Sequence, residues 1–354
     1  MDNIYSAFQG RVKIIFQLNY SSIIHPEPNT PSQKEKNYKK QIYDKINEIK
    51  DHPNLLAWYV NDEKPYEYNK EIRNISLIIH ELDPHHPTYS VIQPYGEMPF
   101  LLNTTDIMGV DTYPIGIRQI REVHYLTSQE AENTLGKPMI PVVQIFDWSI
   151  YNNTSTGKSV VPTLQEMRSM SWQQLVLGAK GLMFYSLLEI IQMNGTTPIK
   201  ERWKDIITLI DEIWKYKDVF LSVDKVNKIK YVQNYNVTFG QWKHNNINYI
   251  AIVNLEREKE TFKINLLEQY IIHKEFGLGT FKVNGNEINF NLEPIDVILI
   301  KLIKNSSNNT LIIFIVIILI IILVVVLIFF VKRYLDKKYK TKIFVNSVSK
   351  LMDD

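Results

Sequence analysis

The stretch that decides the fold is His52-Pro53-Asn54-Leu55-Leu56-Ala57-Trp58-Tyr59-Val60-Asn61-Asp62-Glu63-Lys64-Pro65. In it an apolar run ends on two acidic residues. A short apolar run bounded by turn residues is typical of a buried strand in a parallel sheet. Carboxyl groups just beyond the C-terminal end of such a strand lie where α/β barrels and open α/β sheets carry their active sites. The stretch therefore predicts a buried strand over Leu55 to Val60, with Asp62 and Glu63 at a candidate site.

Runs of the same kind recur before residue 222 and alternate with helical patterns. The predicted strands are 11–18, 55–60, 87–92, 106–113, 138–146 and 181–188, and the predicted helices are 34–50, 67–82, 117–135, 163–178 and 200–219. Such alternation is typical of a parallel sheet built of βαβ units. After Val219 the runs become short and often alternate, and Asn284-Gly285 is a hairpin signal. These patterns predict a (β/α) domain over 1–222 and a small antiparallel β-sandwich over 223–304.

The composition excludes several function classes. The chain has 354 residues, which is enough for more than one domain, and a formal net charge of only +2. We therefore expect no nucleic-acid partner. Cysteine is absent, which excludes disulfides and thiolate metal sites. Because no P-loop, dinucleotide fingerprint or zinc motif occurs, we expect neither a metal nor another cofactor.

The strongest single signal lies near the C-terminus, where every residue from Leu311 to Val331 is Leu, Ile, Val or Phe. At about 1.5 Å per residue, a helix of this length matches a hydrocarbon core of roughly 30 Å. We predict one transmembrane helix at 311–331, with the lipid bilayer as its partner. A polar linker at 305–310 precedes it and a basic tail at 332–354 follows.

Basic residues flank this segment on one side only, which predicts its orientation. Lys332 and Arg333 follow it, whereas 305–310 carries no charge. Basic flanks stay in the cytoplasm, so we expect a cytoplasmic tail and a luminal or extracellular main domain. The N-terminus shows no signal peptide, which indicates either tail-anchor insertion or a chain that lacks its start. Glycosylation sequons favour the lumen and predict a glycoprotein; they begin at Asn19, Asn74, Asn103, Asn152, Asn194 and Asn236.

Several motifs, taken together, carry a family resemblance. Over roughly residues 10–220 the sequence resembles the (β/α)₈-barrel glycoside hydrolases of clan A, which include the β-galactosidase and β-glucuronidase families. The matching pieces occur in the expected order: His52-Pro53…Trp58…Asp62-Glu63-Lys64-Pro65, Asp83-Pro84…His86-Pro87, Asp106-Ile107-Met108-Gly109-Val110-Asp111-Thr112-Tyr113-Pro114, Lys137-Pro138…Gln144 and Gly178-Ala179-Lys180-Gly181-Leu182-Met183-Phe184-Tyr185-Ser186. The resemblance implies a TIM-type barrel, a carbohydrate substrate and glycosidase activity.

The resemblance also implies roles for particular residues. Glu63 ends the family's fourth strand and maps onto its general acid/base, although Asp62 stands where relatives usually carry Asn. The family's nucleophile maps onto Gln144, an amide and a very poor nucleophile. The family's first two strands have no counterpart, and six strands leave two open edges. We therefore expect an N-terminally incomplete barrel; a divergent open sheet is the alternative.

Further candidates lie at the ends of other predicted strands. Asp111 and Glu189 are expected to contact sugar hydroxyls, to act in catalysis or to be structural. Aromatic side chains that could stack on sugars follow strands at Tyr113, Trp148 and Tyr185.

Three interpretations remain open, and two of them are catalytic mechanisms. One is the usual two-carboxylate hydrolysis. In the second, resembling some hexosaminidases, the acetamido group of the substrate attacks, Asp62 polarises it, Glu63 is the acid, and Tyr113 or Gln144 binds the acetamido group. The third is an inactive, membrane-tethered carbohydrate-binding protein, which Gln144 and the missing strands favour.

Overall fold

The computed structural model describes residues 13–18, 32–93, 95–151, 160–192, 199–223, 226, 229–231, 233–304 and 307–352. Residues 1–12, where a signal peptide would lie, and the sequons at Asn19, Asn152 and Asn194 fall outside these ranges.

Parallel strands alternate with helices through the first part of the chain, as the sequence pattern predicts. The elements are β1 (Ile14–Gln17), α1 (Ser32–Ile49), β2 (Leu55–Asp62), α2 (Asn69–Leu82), β3 (Thr88–Val91), α3 (Met98–Leu101), β4 (Ile107–Gly109), β5 (Asp111–Thr112), α4 (Glu122–Asn133), β6 (Val142–Gln144), α5 (Leu164–Val176), β7 (Met183–Tyr185), α6 (Leu187–Gln192), α7 (Ile199–Lys215) and α8 (Lys217–Phe220). Helix α5 begins with the capping box of Thr163 and Glu166.

Neighbouring strands in the sheet are also neighbours in sequence. The order is β1-β2-β3-β4 in one part and β5-β6-β7 in the other, with parallel pairing throughout. The predicted single strand 106–113 is therefore two strands, because its first half pairs with β3 and its second half with β6. Backbone hydrogen bonds from Ile140 to Met108 and from Val142 to Val110 join the two parts.

Apolar residues fill both faces of this sheet. On the inner face, Ala57, Tyr89, Val91, Ile107 and Val142 form one buried cluster. On the outer face, Trp58 and Val60 pack with the apolar stripes of α1 and α2, which include Ile42, Ile46, Ile72, Ile75 and Ile79. The alternation along β2 thus determines that Asp62, at its end, follows a strand buried on both faces.

The second part of the chain is a β-sandwich of two four-stranded sheets. Its strands are β8 (Lys230–Tyr231), β9 (Val237–His244), β10 (Ile247–Asn254), β11 (Glu260–Asn265), β12 (Tyr270–Phe276), β13 (Thr280–Asn284), β14 (Glu287–Leu292) and β15 (Val297–Lys304). The sheet orders are β12-β15-β10-β9 and β13-β14-β11-β8. Strand β12 was not predicted, because its central His273, Lys274 and Glu275 hide the apolar signal.

The sandwich packs tightly against the helices that surround the parallel sheet. Trp172 of α5 contacts Trp242 of β9, with ring centroids 6.4 Å apart, within a larger buried cluster. Two ion pairs, Arg121–Glu256 and Arg257–Glu166, cross the same boundary. The two sheet-containing parts therefore form one compact unit, which ends at Leu302.

The last element is a single long helix, α9 (Ser307–Met352), which belongs to a second compact unit. Its segment Phe314–Tyr339 contains an 18-residue window with a mean hydropathy of 4.0 and is the one described helix that is long and apolar enough to cross a membrane. The side chains described in its apolar part, from Phe314 to Val331, are exposed.

Candidate active site

The C-terminal ends of the parallel strands surround a cavity of about 660 Å³. Six strands contribute to its wall, since its lining includes residues of β1, β2, β3, β5, β6 and β7. The lining residues are Ile15, Gln17, Tyr59, Asp62, Glu63, Val91, Asp111, Tyr113, Val142, Phe146, Trp148, Tyr151, Met183, Phe184, Tyr185 and Ser186. This is the edge of the sheet at which the sequence predicts the site.

Glu63 enters the cavity because the chain turns sharply where β2 ends. Its φ is 55°, in the left-handed region that non-glycine residues rarely adopt. The Glu63 backbone N–H donates to Val91 O at 3.1 Å, and the buried Asn61 side chain accepts from the Lys64 N–H, also at 3.1 Å. These bonds hold the turn, so the exposed Glu63 carboxylate lies in a defined place.

Asp111, predicted as a substrate contact, pairs with Glu63. The two side chains share a hydrogen bond, and Asp111 is only 5% exposed. Burial, together with the hydrogen bond and the negative charge of Glu63, raises the pKa of Asp111 to about 9. This environment favours the neutral form of Asp111.

Asp62 also lines the cavity but has a different partner. The Tyr59 hydroxyl donates to Asp62 Oδ1 at 2.6 Å. Burial and the charge of Asp62 raise the pKa of Tyr59 well above its ordinary value, so the phenol stays a donor. Adjacent in sequence, Asp62 and Glu63 thus enter two separate interactions in one cavity.

Aromatic rings form the opposite wall. Tyr113 and Tyr185 stack with centroids 5.6 Å apart, and Phe146 contacts both rings edge-on. Trp148 donates its indole N–H to Tyr113 O at 3.2 Å. All three aromatic residues predicted to contact sugar, Tyr113, Trp148 and Tyr185, line the cavity. Stacked and tilted rings of this kind suit the apolar faces of sugar rings.

Glu189 lies behind this wall and does not line the cavity. Its Oε1 accepts from the hydroxyls of Tyr151 at 3.0 Å and Tyr185 at 3.2 Å. Among the expected roles, these bonds favour the structural one, because Glu189 orients two side chains that line the cavity; a direct contact of Glu189 with sugar stays a prediction.

Gln144 is fully buried, and its amide bonds to the main chain. Its amide oxygen accepts from Ile115 N at 2.8 Å, and its amide nitrogen donates to Ile115 O and Phe146 O at 3.0 and 3.1 Å. These bonds fix the loops after β5 and β6, and Gln144 is not among the described residues that line the cavity. Its expected contact with an acetamido group stays a prediction.

Two site residues escaped the sequence reasoning. Tyr151 lines the cavity from a short 3₁₀ helix, Trp148–Tyr151, that carries no motif. Arg202 of α7 is 3% exposed and donates to Ile145 O and Pro162 O, which flank the segment bearing Trp148 and Tyr151. The only sequence signal for Arg202 was an arginine on the face of a helix that is buried, and this signal did not indicate which groups the side chain would contact.

A larger concavity, of about 740 Å³, lies on the β-sandwich. Its lining contains no carboxyl group, and its amides are used internally: Asn234 and Asn236 donate to Glu260, and Asn289 donates to Glu287. We therefore assign the candidate site to the smaller cavity at the strand ends, where the carboxyl groups are.

No protein-family model matches the sequence, and no curated protein sequence matches it. Solved structures do match. AmyP in complex with maltose aligns at a TM-score of 0.53 and 9% identity, over 85% of this chain and 76% of AmyP. The α-amylase of Geobacillus thermoleovorans, complexed with acarbose, aligns at 0.50 and 10%, over 77% and 66%.

The chain shares the fold of these neighbours, a (β/α) barrel followed by a β-sandwich. At such low identity the fold alone is established. A further match is the α-amylase of H. orenii, at 11% identity and a TM-score of 0.45. The alignment covers 77% of this chain but only 65% of that amylase.

Proposed function

We propose that the protein hydrolyses O-glycosidic bonds of a glycan, with Glu63 as the acid that protonates the leaving oxygen. One observation carries the proposal: an exposed carboxylate at the end of β2 is hydrogen-bonded to the buried carboxyl group of Asp111 inside an aromatic-walled cavity. General acid catalysis requires a carboxyl group that can hold a proton near neutral pH. The neighbours that share the fold include structures solved with maltose and acarbose.

The first test is Glu63→Gln. We expect turnover of a natural oligosaccharide to fall by about 10²–10⁴-fold, because general acid catalysis contributes that much. Aryl glycosides with activated leaving groups should be affected less in their first step, since they need little protonation. The measurement is steady-state hydrolysis of oligosaccharides and a para-nitrophenyl glycoside panel by the full-length chain. Unchanged oligosaccharide turnover in Glu63→Gln would refute the role of Glu63.

A separate question is which group attacks the anomeric carbon. Substitution of Asp62, together with the substrate range of the unmodified chain, distinguishes the alternatives. Gln144 is a buried amide and Asp111 holds its proton, so both are poor nucleophiles and the protein's own candidate in the cavity is Asp62. If the substrate's acetamido group attacks, Asp62→Asn should be severe and the unmodified chain should cleave only N-acetylated amino sugars. If Asp62 itself attacks, Asp62→Asn should also be severe, but the unmodified chain should cleave substrates without an acetamido group.

The buried amide of Gln144, at the position of the family's nucleophile, favours a second candidate function. In that case the protein is an inactive carbohydrate-binding protein that keeps the aromatic wall. Calorimetric binding of a glycan, with no turnover by the unmodified chain and with binding lost in Tyr185→Ala, would identify it.

We further propose that the protein is anchored in a membrane through 311–331, with the candidate site on the luminal or extracellular side. The apolar composition of this segment and the basic residues after Val331 support the orientation.

A further inference from the structure

The cavity holds three carboxyl groups without a compensating cation. Asp62, Glu63 and Asp111 line it, and no Lys, Arg or His occurs among the described residues that do so. Neighbouring negative charges and burial both disfavour ionisation of a carboxyl group, so this site favours retention of a proton by its most buried member.

The three carboxyl groups are not equivalent. Asp62 is exposed and accepts from the Tyr59 hydroxyl. Asp111 is 5% exposed and its side chain is hydrogen-bonded to that of Glu63, whereas Glu63 is exposed to the cavity. A proton is therefore held most favourably by the buried member of the Glu63–Asp111 pair.

We propose that Glu63 and Asp111 share one proton and act as a single acid, in which buried Asp111 holds the proton and exposed Glu63 delivers it. As a catalytic step this rests on the glycosidase function proposed above; the sharing of the proton does not. Asp111 acts through Glu63 and is thus a positioning residue that also stores the proton. The raised pKa of Asp111 agrees with this arrangement.

The reaction balances with one water. As the glycosidic C–O bond breaks, its electron pair stays on the leaving oxygen, which takes the proton of the pair through Glu63. The water supplies a hydroxyl group to the anomeric carbon and returns its other proton to Glu63. The pair again holds one proton and a new cycle can begin.

The groups around the pair are three tyrosines and one carboxyl group, Asp62. Asp62 and Tyr59 face Asp111 from β2, Tyr89 from β3 and Tyr113 from the segment after β5. Burial raises the pKa of all three tyrosines well above the ordinary value, so they stay neutral while the pair titrates. Asp62 is the one further anion, and it opposes ionisation of Asp111.

The test is infrared spectroscopy of the full-length chain in detergent, without substrate, following the C=O stretch of protonated carboxyl groups against pH. Asp111→Asn should remove one band that is present at neutral pH. In Glu63→Gln the Asp111 band should titrate at lower pH than in the unmodified chain, because the neighbouring negative charge is gone. Equal titration midpoints in the two proteins would overturn the proposal.

A matched control distinguishes the infrared band of Asp111 from that of Glu130, the second buried acid. Burial raises the pKa of Glu130 to about 8, so Glu130→Gln should remove its own band and leave the band coupled to Glu63.

The pH profile of aryl glycoside hydrolysis is the second readout. Its alkaline limb should move to lower pH in Asp111→Asn, and an unmoved limb would contradict proton storage. Coupled titration without any hydrolysis would reject the glycosidase function but retain the shared proton.

Discussion

Glu63 adopts a left-handed backbone conformation that is unfavourable for a non-glycine residue, and hydrogen bonds of the Asn61 side chain stabilise it. A non-glycine residue at a φ of 55° costs free energy of order 1 kcal/mol or more, which surrounding bonds must offset. The buried Asn61 side chain accepts from Lys64 N–H and donates to Val91 O at 3.4 Å, so it ties both sides of the turn to β3. The position of the acid thus depends on a residue that does not line the cavity.

We predict that Asn61→Ala lowers the free energy of unfolding by about 1–3 kcal/mol, because it leaves buried backbone groups without partners. Hydrolytic activity should fall as well, since Glu63 loses its fixed position. Chemical denaturation and aryl glycoside kinetics measure the two effects. Asn69→Ala is the control: its side chain makes an exposed bond to Phe100 O, and we expect a change within about 0.5 kcal/mol. Equal, small effects in the two variants would contradict the role of Asn61.

At the scale of the element, helix α4 carries an acid on its buried face. Val123, Leu126, Thr127 and Glu130 share the face turned to the core. Neither carboxylate oxygen of Glu130 has a hydrogen-bond partner among the described residues. Burial therefore raises the pKa of Glu130 from 4.5 to about 8. The helix folds most favourably with this side chain neutral.

The pH dependence of stability follows from that shift. The folded state holds the Glu130 proton more tightly than the unfolded state, so the contribution of Glu130 to stability is greatest below pH 4.5 and is lost as pH rises to about 8. The decline from this residue is at most several kcal/mol, at about 1.4 kcal/mol per pKa unit. Asp111 contributes a decline of the same sign, so we predict that Glu130→Gln reduces the slope of the stability profile between these pH values without abolishing it. The exposed neighbour Glu132→Gln should keep the original slope, and denaturation at a series of pH values checks both.

At the scale of the whole molecule, helix α9 combines an apolar segment with a basic end. We predict that it spans a membrane with residues 332–354 in the cytoplasm. Protease added to sealed microsomes should trim only the tail, and the exposed sequons Asn74 and Asn103 should carry glycans that endoglycosidase removes. Asn74→Gln and Asn103→Gln should each abolish one glycan. Digestion of the barrel domain with the tail protected would reverse the orientation.

Several features of the protein followed from the sequence alone. Short apolar runs separated by helical patterns indicated the parallel strands before residue 222 and the sheet edge that carries Glu63 and Asp111. Apolar composition marked 311–331 as a candidate span. These features are local, because hydrophobic periodicity fixes secondary structure and the ends of parallel strands must meet at one edge of a sheet.

Only the tertiary structure decided what the side chains at that edge do. It paired Glu63 with Asp111, turned the Gln144 amide onto the main chain, and placed Glu189 behind Tyr151 and Tyr185. It also divided 106–113 between two strand partners and revealed β12. Each of these results depends on contacts between residues far apart in the chain, whose burial and direction no local pattern encodes. The same carboxyl group is a solvated strand end or half of a proton-sharing pair according to the neighbour that packing brings to it.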